Sequence, residues 1–153
     1  MGLRNIVSTD ILQLERLVKS DTFYLLDDII NCIKEDGDLS YTKGYFSKEN
    51  ELLGAIHIGY YDNPSSVKEE KLLQEKEGYI VNGLFVCEEY RNKGIGKQLI
   101  QGIIDFLKLA CDSNFVLFAD IIDSEVEDFY SKQGFNSVDT DKCTRFKYFS
   151  YLK

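Results

Sequence analysis

Between Gly78 and Cys111 the chain reads as a strand, a glycine-bearing turn and a long helix, and that succession limits the folds open to it. Gly78 to Val86 is rich in β-branched and aromatic residues and predicts a strand. From Gly94 to Cys111, the residues Ile95, Leu99, Ile103, Phe106, Leu107 and Ala110 recur at helical spacing. An apolar stripe this wide suits a helix lying on a sheet. Phe115 to Ile122 follows as a nearly continuous apolar run, the pattern of a strand covered on both faces. Glu125 to Gln133 predicts a short helix stopped by Gly134 in C-cap position. Phe135 to Val138 and Thr144 to Leu152 read as closing strands.

Upstream, Leu3 to Val7 predicts an opening strand. Ser8, Thr9 and Asp10 offer N-cap chemistry to a helix carrying Ile11, Leu14, Leu17 and Val18. A second helix is expected from Phe23 to Glu35, ended by Asp36-Gly37. Leu26, Ile29, Ile30 and Ile33 form its apolar face, while Asp27, Asp28 and Asn31 lie opposite. Tyr41 to Phe46 and Leu52 to Tyr60 read as strands joined by a turn at Ser47-Lys48-Glu49-Asn50. Asp62-Asn63-Pro64-Ser65-Ser66 breaks the pattern, and the charged stretch Val67 to Glu77 is expected as an exposed loop or a short helix. The order of elements predicts an α/β (α+β) fold, a mixed sheet with helices on its faces. A length of 153 residues with no internal repeat or boundary favours a single domain over residues 1–153.

Bulk properties remove several classes of function. A net charge of −8 disfavours nucleic acid, whose phosphates require a basic surface, and mildly favours a cationic partner. Cys32, Cys87, Cys111 and Cys143 are scattered without a C-x-x-C pair, and His57 is the sole histidine, so no metal site is expected. No stretch approaches the roughly 18 apolar residues that cross a bilayer. The first ten residues lack a basic start followed by an apolar run, which predicts a cytoplasmic protein with buried thiols.

The turn itself runs Arg91-Asn92-Lys93-Gly94-Ile95-Gly96-Lys97. Glycines there allow a tight turn and close approach of a ligand to the backbone. The first helical turn leaves amide N–H groups without intrahelical acceptors, and with the helix dipole they form an anion site. A dinucleotide fingerprint fails because Leu99 stands where its third glycine belongs. A P-loop fails because Gly96-Lys97 is followed by Gln98 and position 91 is arginine.

These residues resemble the GNAT N-acetyltransferase superfamily, whose signature [Gln/Arg]-x-x-Gly-x-[Gly/Ala] is met by Arg91, Gly94 and Gly96. A second block, Phe129-Tyr130-Ser131-Lys132-Gln133-Gly134-Phe135, is similar to the family's F-Y-x-x-x-G-F and falls at the expected distance. The resemblance implies a mostly antiparallel sheet of six to seven strands flanked by about four helices, with acetyl-CoA as acyl donor. It implies that Phe85 and Val86 offer main-chain hydrogen bonds to the pantetheine arm. A main-chain N–H among Leu84, Phe85 and Val86 would meet the thioester oxygen. Arg91, Asn92, Lys93, Gly94, Ile95, Gly96 and Lys97 would wrap the pyrophosphate. In the family the arm lies where the strands at Gly78 to Val86 and Phe115 to Ile122 splay apart.

The implied reaction moves an acetyl group to a primary amine of a small molecule, a peptide N-terminus or a lysine, by direct attack in a ternary complex. The amine must first lose a proton. With a pKa of about 10.4, its neutral form is disfavoured by roughly 4–5 kcal/mol at pH 7. The departing thiolate must gain one, and Tyr130 is the candidate acid: a thiol near pKa 8.5 and a tyrosine near 10 make that transfer feasible. A ping-pong route through Cys87 or Cys111 lacks a neighbouring histidine in sequence. The base is open. Tyr79 through Cys87 contains no carboxylate, where many relatives carry a glutamate. Glu77, Asp120 and the pair Asp27 and Asp28 are the alternatives, while His57 in Ile56-His57-Ile58 reads as a packing or surface residue. Asp123 stands where relatives carry asparagine, so its carboxylate would repel phosphate but could attract a cation. The missing strand carboxylate keeps a second function in view, a non-catalytic module that binds acyl-CoA. A monomer or a homodimer is expected, with no nucleic acid and no membrane.

Overall fold

The computed structural model describes residues 2–19, 30–31, 39, 41–64, 66–121, 123–138 and 145–153. Seven strands form one sheet: β1 (Gly2–Asn5), β2 (Thr42–Phe46), β3 (Leu52–Tyr60), β4 (Glu77–Val86), β5 (Phe115–Ile121), β6 (Asn136–Val138) and β7 (Arg145–Tyr151). Their order is β1-β2-β3-β4-β5-β7-β6. Four helices accompany them among the described residues: α1 (Ile11–Lys19), α2 (Val67–Leu73), α3 (Ile95–Ala110) and α4 (Ser124–Lys132). The expected mixed sheet is therefore present, with seven strands. Of the second helix expected over residues 23–35, only Ile30 and Asn31 are described, and both are helical. Asp27, Asp28, Cys32 and Cys143 lie outside the described residues. No helix among the described residues is long and apolar enough to cross a membrane.

The chain gathers into two compact units, Met1–Ile58 with Asn82–Asp105, and Gly59–Val81 with Phe106–Lys153. In the first, β1 and β2 pair antiparallel from Gly2↔Phe46 to Asn5↔Lys43, and β2 continues antiparallel to β3. Ile6, Leu14, Leu17, Phe46, Leu52, Ala55 and Phe85 form its core. The polar turn before α1 is held by one residue of the expected capping trio. Asp10 accepts the Val7 N–H at 2.9 Å and receives the Arg4 guanidinium in a fork at 2.7 and 3.0 Å. That guanidinium also lies 3.4 Å from the centroid of the Phe46 ring. Its hydrogen bonds, outweighing burial, hold the Asp10 carboxyl below the usual range.

In the second unit the opening half of β4 pairs parallel with β5, from Glu77↔Phe115 to Val81↔Ala119. The ladder ends there, though β4 runs on to Val86 and β5 to Ile121. β5 pairs antiparallel with β7 along its whole length, and β7 with β6. Phe115 through Ala119 are wholly buried, as the unbroken apolar run requires. Elsewhere the sheet is antiparallel. Tyr61 N–H donates to Gly78 at one end of the β3–β4 pair, and Cys87 N–H donates to Leu53 at the other. Descending numbers on one strand against rising numbers on its neighbour define that sense.

The stretch beyond Ser66 resolves as helix α2, and β4 begins already at Glu77. Ser66 caps the helix, its hydroxyl accepting the Glu69 N–H at 3.2 Å. Glu69 is 0% exposed rather than part of a solvated face. On α3 the buried stripe takes in Ile100 and Ile104 besides Ile95, Leu99, Ile103 and Leu107, whereas Ala110 is exposed.

Gly54 on β3 has no room for a side chain. A Cβ there would lie 2.8 Å from the Phe85 carbonyl oxygen and 3.2 Å from both Ile95 and Leu99. The main-chain oxygen cannot rotate away as a side chain can, so β4 and the start of α3 are seated against bare backbone. Gly54→Val should cost about 1–3 kcal/mol by overpacking, read as a lower urea midpoint. Unchanged stability would show that β4 yields there without cost.

Candidate functional site

The turn between β4 and α3 is built within the first unit. After Val86 a short 3-10 turn, Glu88–Tyr90, closes through the Tyr90 N–H to the Cys87 carbonyl at 2.9 Å. The Arg91 Nε then donates back to the Val86 carbonyl at 3.0 Å, tying the loop to the strand it leaves. Asn92 at φ 59° and Gly94 at φ 83° are both in the left-handed region, which lets the chain reverse in a few residues. Gly94 accepts the Gln98 N–H at 3.1 Å, the first bond of α3. The amides of Ile95, Gly96 and Lys97 therefore precede the first helical donor, Gln98, and have no acceptor within the helix.

Arg91, Asn92, Lys93, Gly94 and Lys97 are exposed, and Gly96 is half-buried. Ile95 alone is buried, its side chain anchoring the helix start beside Gly54. The Lys93 ammonium rests 5.1 Å from the Tyr90 ring centroid, a cation–π contact that keeps a positive charge on the turn. Three cationic side chains and three amides before the first helical donor suit an anion with two linked phosphates. On β4, Leu84 is half-buried and Phe85 buried. The Phe85 carbonyl abuts Gly54, and the Val86 carbonyl already accepts Arg91.

The second unit holds Tyr130 and the carboxylates Glu77, Asp120 and Asp123. Tyr130 on α4 is 5% exposed. Its ring meets Phe129 edge-on at 5.2 Å and Phe135 at 5.0 Å. Phe135 continues to Phe149 at 5.9 Å. Burial first, and then the charge of Asp120, push the Tyr130 hydroxyl well above the usual tyrosine range, so it holds its proton at neutral pH. Gly134 follows α4 at φ 88°, its N–H returned to Ser131, which is the C-cap the sequence predicted.

Three carboxylates separate clearly. Asp123 is the N-cap of α4, accepting the Val126 N–H at 2.9 Å, a capping role the sequence comparison with relatives did not suggest. Glu77 lies at the opening of β4 and receives the Tyr79 hydroxyl at 2.7 Å. That bond is the main influence holding its carboxyl below the usual range, which makes it a weaker base. Asp120 is exposed, one residue past the last β4–β5 pair. Protein packed around it, and then Glu69, raise its pKa. His57 is half-buried and pairs its Nδ1 with the Thr42 hydroxyl at 2.9 Å. Cys87 and Cys111 are free thiols, and burial pushes both upward, away from the reactive thiolate. The pairing of Glu69 with Tyr61 was missed in the sequence, though Ser66-x-x-Glu69 carries capping-box spacing and marks the helix start.

A mostly antiparallel sheet with one parallel pair, leading through a glycine turn into a long helix, defines a mixed α/β class of protein. The particular family follows from sequence: the acetyltransferase (GNAT) family profile matches residues 8–135, and the chain belongs to that family. A search of curated proteins finds no match. Among solved structures it is similar to the Escherichia coli GNAT family N-acetyltransferase YhbS in complex with CoA, with a TM-score of 0.69 at 16% identity, covering 97% of this chain and 79% of that one. The Bacillus subtilis N-acetyltransferase YlbP in complex with coenzyme A aligns at a TM-score of 0.67 and 12% identity, covering 97% and 96%. Arabidopsis thaliana NAA60 with a bisubstrate analogue aligns at 0.69 and 16%, covering 98% and 96%. At such identities the likeness speaks for the fold.

Gly94 has open space where a Cβ would stand, so its demand is conformational alone. Gly94→Ala should lower unfolding free energy by about 1 kcal/mol, and Gly94→Asn by less, in urea titrations. Equal stability of all three would mean that the turn does not rely on the left-handed geometry.

Proposed function

We propose that this protein is an acetyl-CoA-dependent N-acetyltransferase that moves an acetyl group to a primary amine by direct attack in a ternary complex. The observation that carries the reading is the start of α3. Gly94 at φ 83° leads into amides that precede the first helical donor, among Arg91, Lys93 and Lys97. In a protein of net charge −8, such a local concentration of donors suits one anion rather than anions in general.

Arg91, Asn92, Lys93, Gly94, Ile95, Gly96 and Lys97 would hold the pyrophosphate. Leu84, Phe85 and Val86 would offer main-chain groups to the pantetheine arm and the thioester oxygen. The parallel ladder stopping at Val81↔Ala119 supports this, because β4 runs on past it. Tyr130 would give its proton to the departing thiolate. The burial that raises Tyr130 also disfavours a naked thiolate, so the two shifts partly cancel. The acceptor is a small amine, a peptide N-terminus or a lysine, and the negative surface favours a cationic one. We take residues 1–153 as one domain acting in the cytoplasm as a monomer or homodimer. Release of free thiol from acetyl-CoA with a panel of amines distinguishes an enzyme from a module that only binds.

Gly96→Asp should weaken acetyl-CoA binding at least tenfold in calorimetric titration, because a carboxylate at the helix start repels the diphosphate. Unchanged affinity contradicts the assignment of the turn. Tyr130→Phe should lower kcat by about 100-fold while leaving acetyl-CoA affinity unchanged, the pattern of a lost general acid. Equal turnover would leave Tyr130 as a packing residue.

A further inference from the structure

Helix α2 and strand β5 bring a buried carboxylate close to an exposed one. Alternation along β5 sets Val116, Phe118 and Asp120 on one face. Leu72 and Leu73 of α2 pack with Val116 and Phe118. A Cβ on Gly78, the partner of Val116, would meet Leu73 at 2.4 Å, which fixes the C-terminal end of α2 beside Val116. Glu69 stands one turn earlier on the same helical face, about 6 Å back along the axis. That displacement brings it level with Phe118, since two residues of β5 span about 6.6 Å, with Asp120 the next residue on that face. Tyr61 completes the arrangement. Its ring lies tilted against Phe118 with centroids 4.9 Å apart, and its hydroxyl donates to Glu69.

A wholly buried carboxylate is costly, and here it accepts the Tyr61 hydroxyl. Packing alone would be served better by leucine, which the helix uses at its two neighbouring inward positions. Asp120 differs in being open to solvent at the carboxyl end of a parallel strand, where ligands of open α/β sheets bind.

We infer that Asp120 is the general base for the acceptor amine, and that Glu69, held by Tyr61, is the positioning residue that sets the charge around it. This rests on the acetyl-transfer reading. The Asp120 carboxylate takes one proton from the ammonium group of the acceptor, directly or through one water. The freed nitrogen lone pair forms the C–N bond to the thioester carbon as the C–S bond breaks. Tyr130 protonates the thiolate. The second amine proton returns to the Tyr130 oxygen, and Asp120 releases its own to solvent. The groups whose charge bears on Asp120 fit this role. Glu69 from α2 raises its proton affinity, and Asp120 in turn acts on Tyr130 from α4. Lys147 on the neighbouring β7 is engaged by Ser137 at 2.9 Å and Glu127 at 3.8 Å.

The test pairs kinetics with a direct titration. Asp120→Asn should lower kcat by about 100-fold or more with unchanged acetyl-CoA affinity, and Asp120→Glu should recover part of it. The acid limb of the kcat/KM profile should vanish in Asp120→Asn. Glu69→Gln keeps the shape and an acceptor for Tyr61 but removes a negative charge. Because a like charge raises a carboxyl pKa, its removal should move the acid limb down by about 0.5–1 pH unit. Carbon-13 NMR of the Asp120 carboxyl in the unliganded protein should show its midpoint falling by the same amount in Glu69→Gln. An unmoved midpoint overturns the role of Glu69 whatever the activity. Full turnover by Asp120→Asn, beside a wild type that binds acetyl-CoA and releases thiol, overturns the role of Asp120 alone. A wild type that binds no acetyl-CoA and acetylates none of the amine panel overturns the transferase reading and the base assignment together.

Discussion

The amides that open α3 have no carbonyl within the helix to accept them, and this constraint shapes the first unit. A helix start of this kind is stable only if something else receives those donors. Water serves at many helix starts. Here the chain adds the left-handed Gly94, the cations Arg91, Lys93 and Lys97, and a strand end tied back by the Arg91–Val86 bond. The position of that start is fixed from below. Gly54 lets the Phe85 carbonyl, Ile95 and Leu99 come close to β3, so strand, turn and helix meet over bare backbone. The rigidity comes from apolar packing and the polarity from the main chain, which lets an acidic protein present donors to an anion without a basic surface.

In the second unit the governing feature is the one parallel ladder, β4 against β5. Parallel pairing aligns the carboxyl ends of two strands, and side chains just beyond the last pair are held by the sheet without being covered by it. Asp120 occupies such a position. The residues around it form a graded series, with Glu69 wholly buried, Tyr130 nearly so and Asp120 exposed. Buried groups resist ionisation or require a partner, whereas exposed ones exchange protons readily. The series suits the proposed roles, with proton exchange at Asp120 and proton retention at Tyr130.

Much of this was legible in the sequence because its signals were periodic. The unbroken apolar run at Phe115 predicted a strand buried on both faces, and the spacing from Ile95 to Leu107 predicted the helix. Glycines 94 and 134 marked a turn and a helix end by a property that only the backbone has to satisfy. What escaped was tertiary. Glu69 sits in a charged stretch, and nothing local distinguishes a glutamate held by a distant tyrosine from one in water. Asp123 read as a departure from a family asparagine, yet either residue can cap α4. The stretch from Tyr79 to Cys87 carries no carboxylate, and the proposed base stands on β5, beside a neighbour from another element.

The central claim is that main-chain donors at the start of α3 receive a diphosphate. A crystal structure of the protein with bound coenzyme A tests it most directly. The account predicts diphosphate oxygens within about 2.7–3.2 Å of the amide nitrogens of Ile95, Gly96 or Lys97. Electron density for coenzyme A elsewhere, with that turn filled by side chains or solvent, would contradict it.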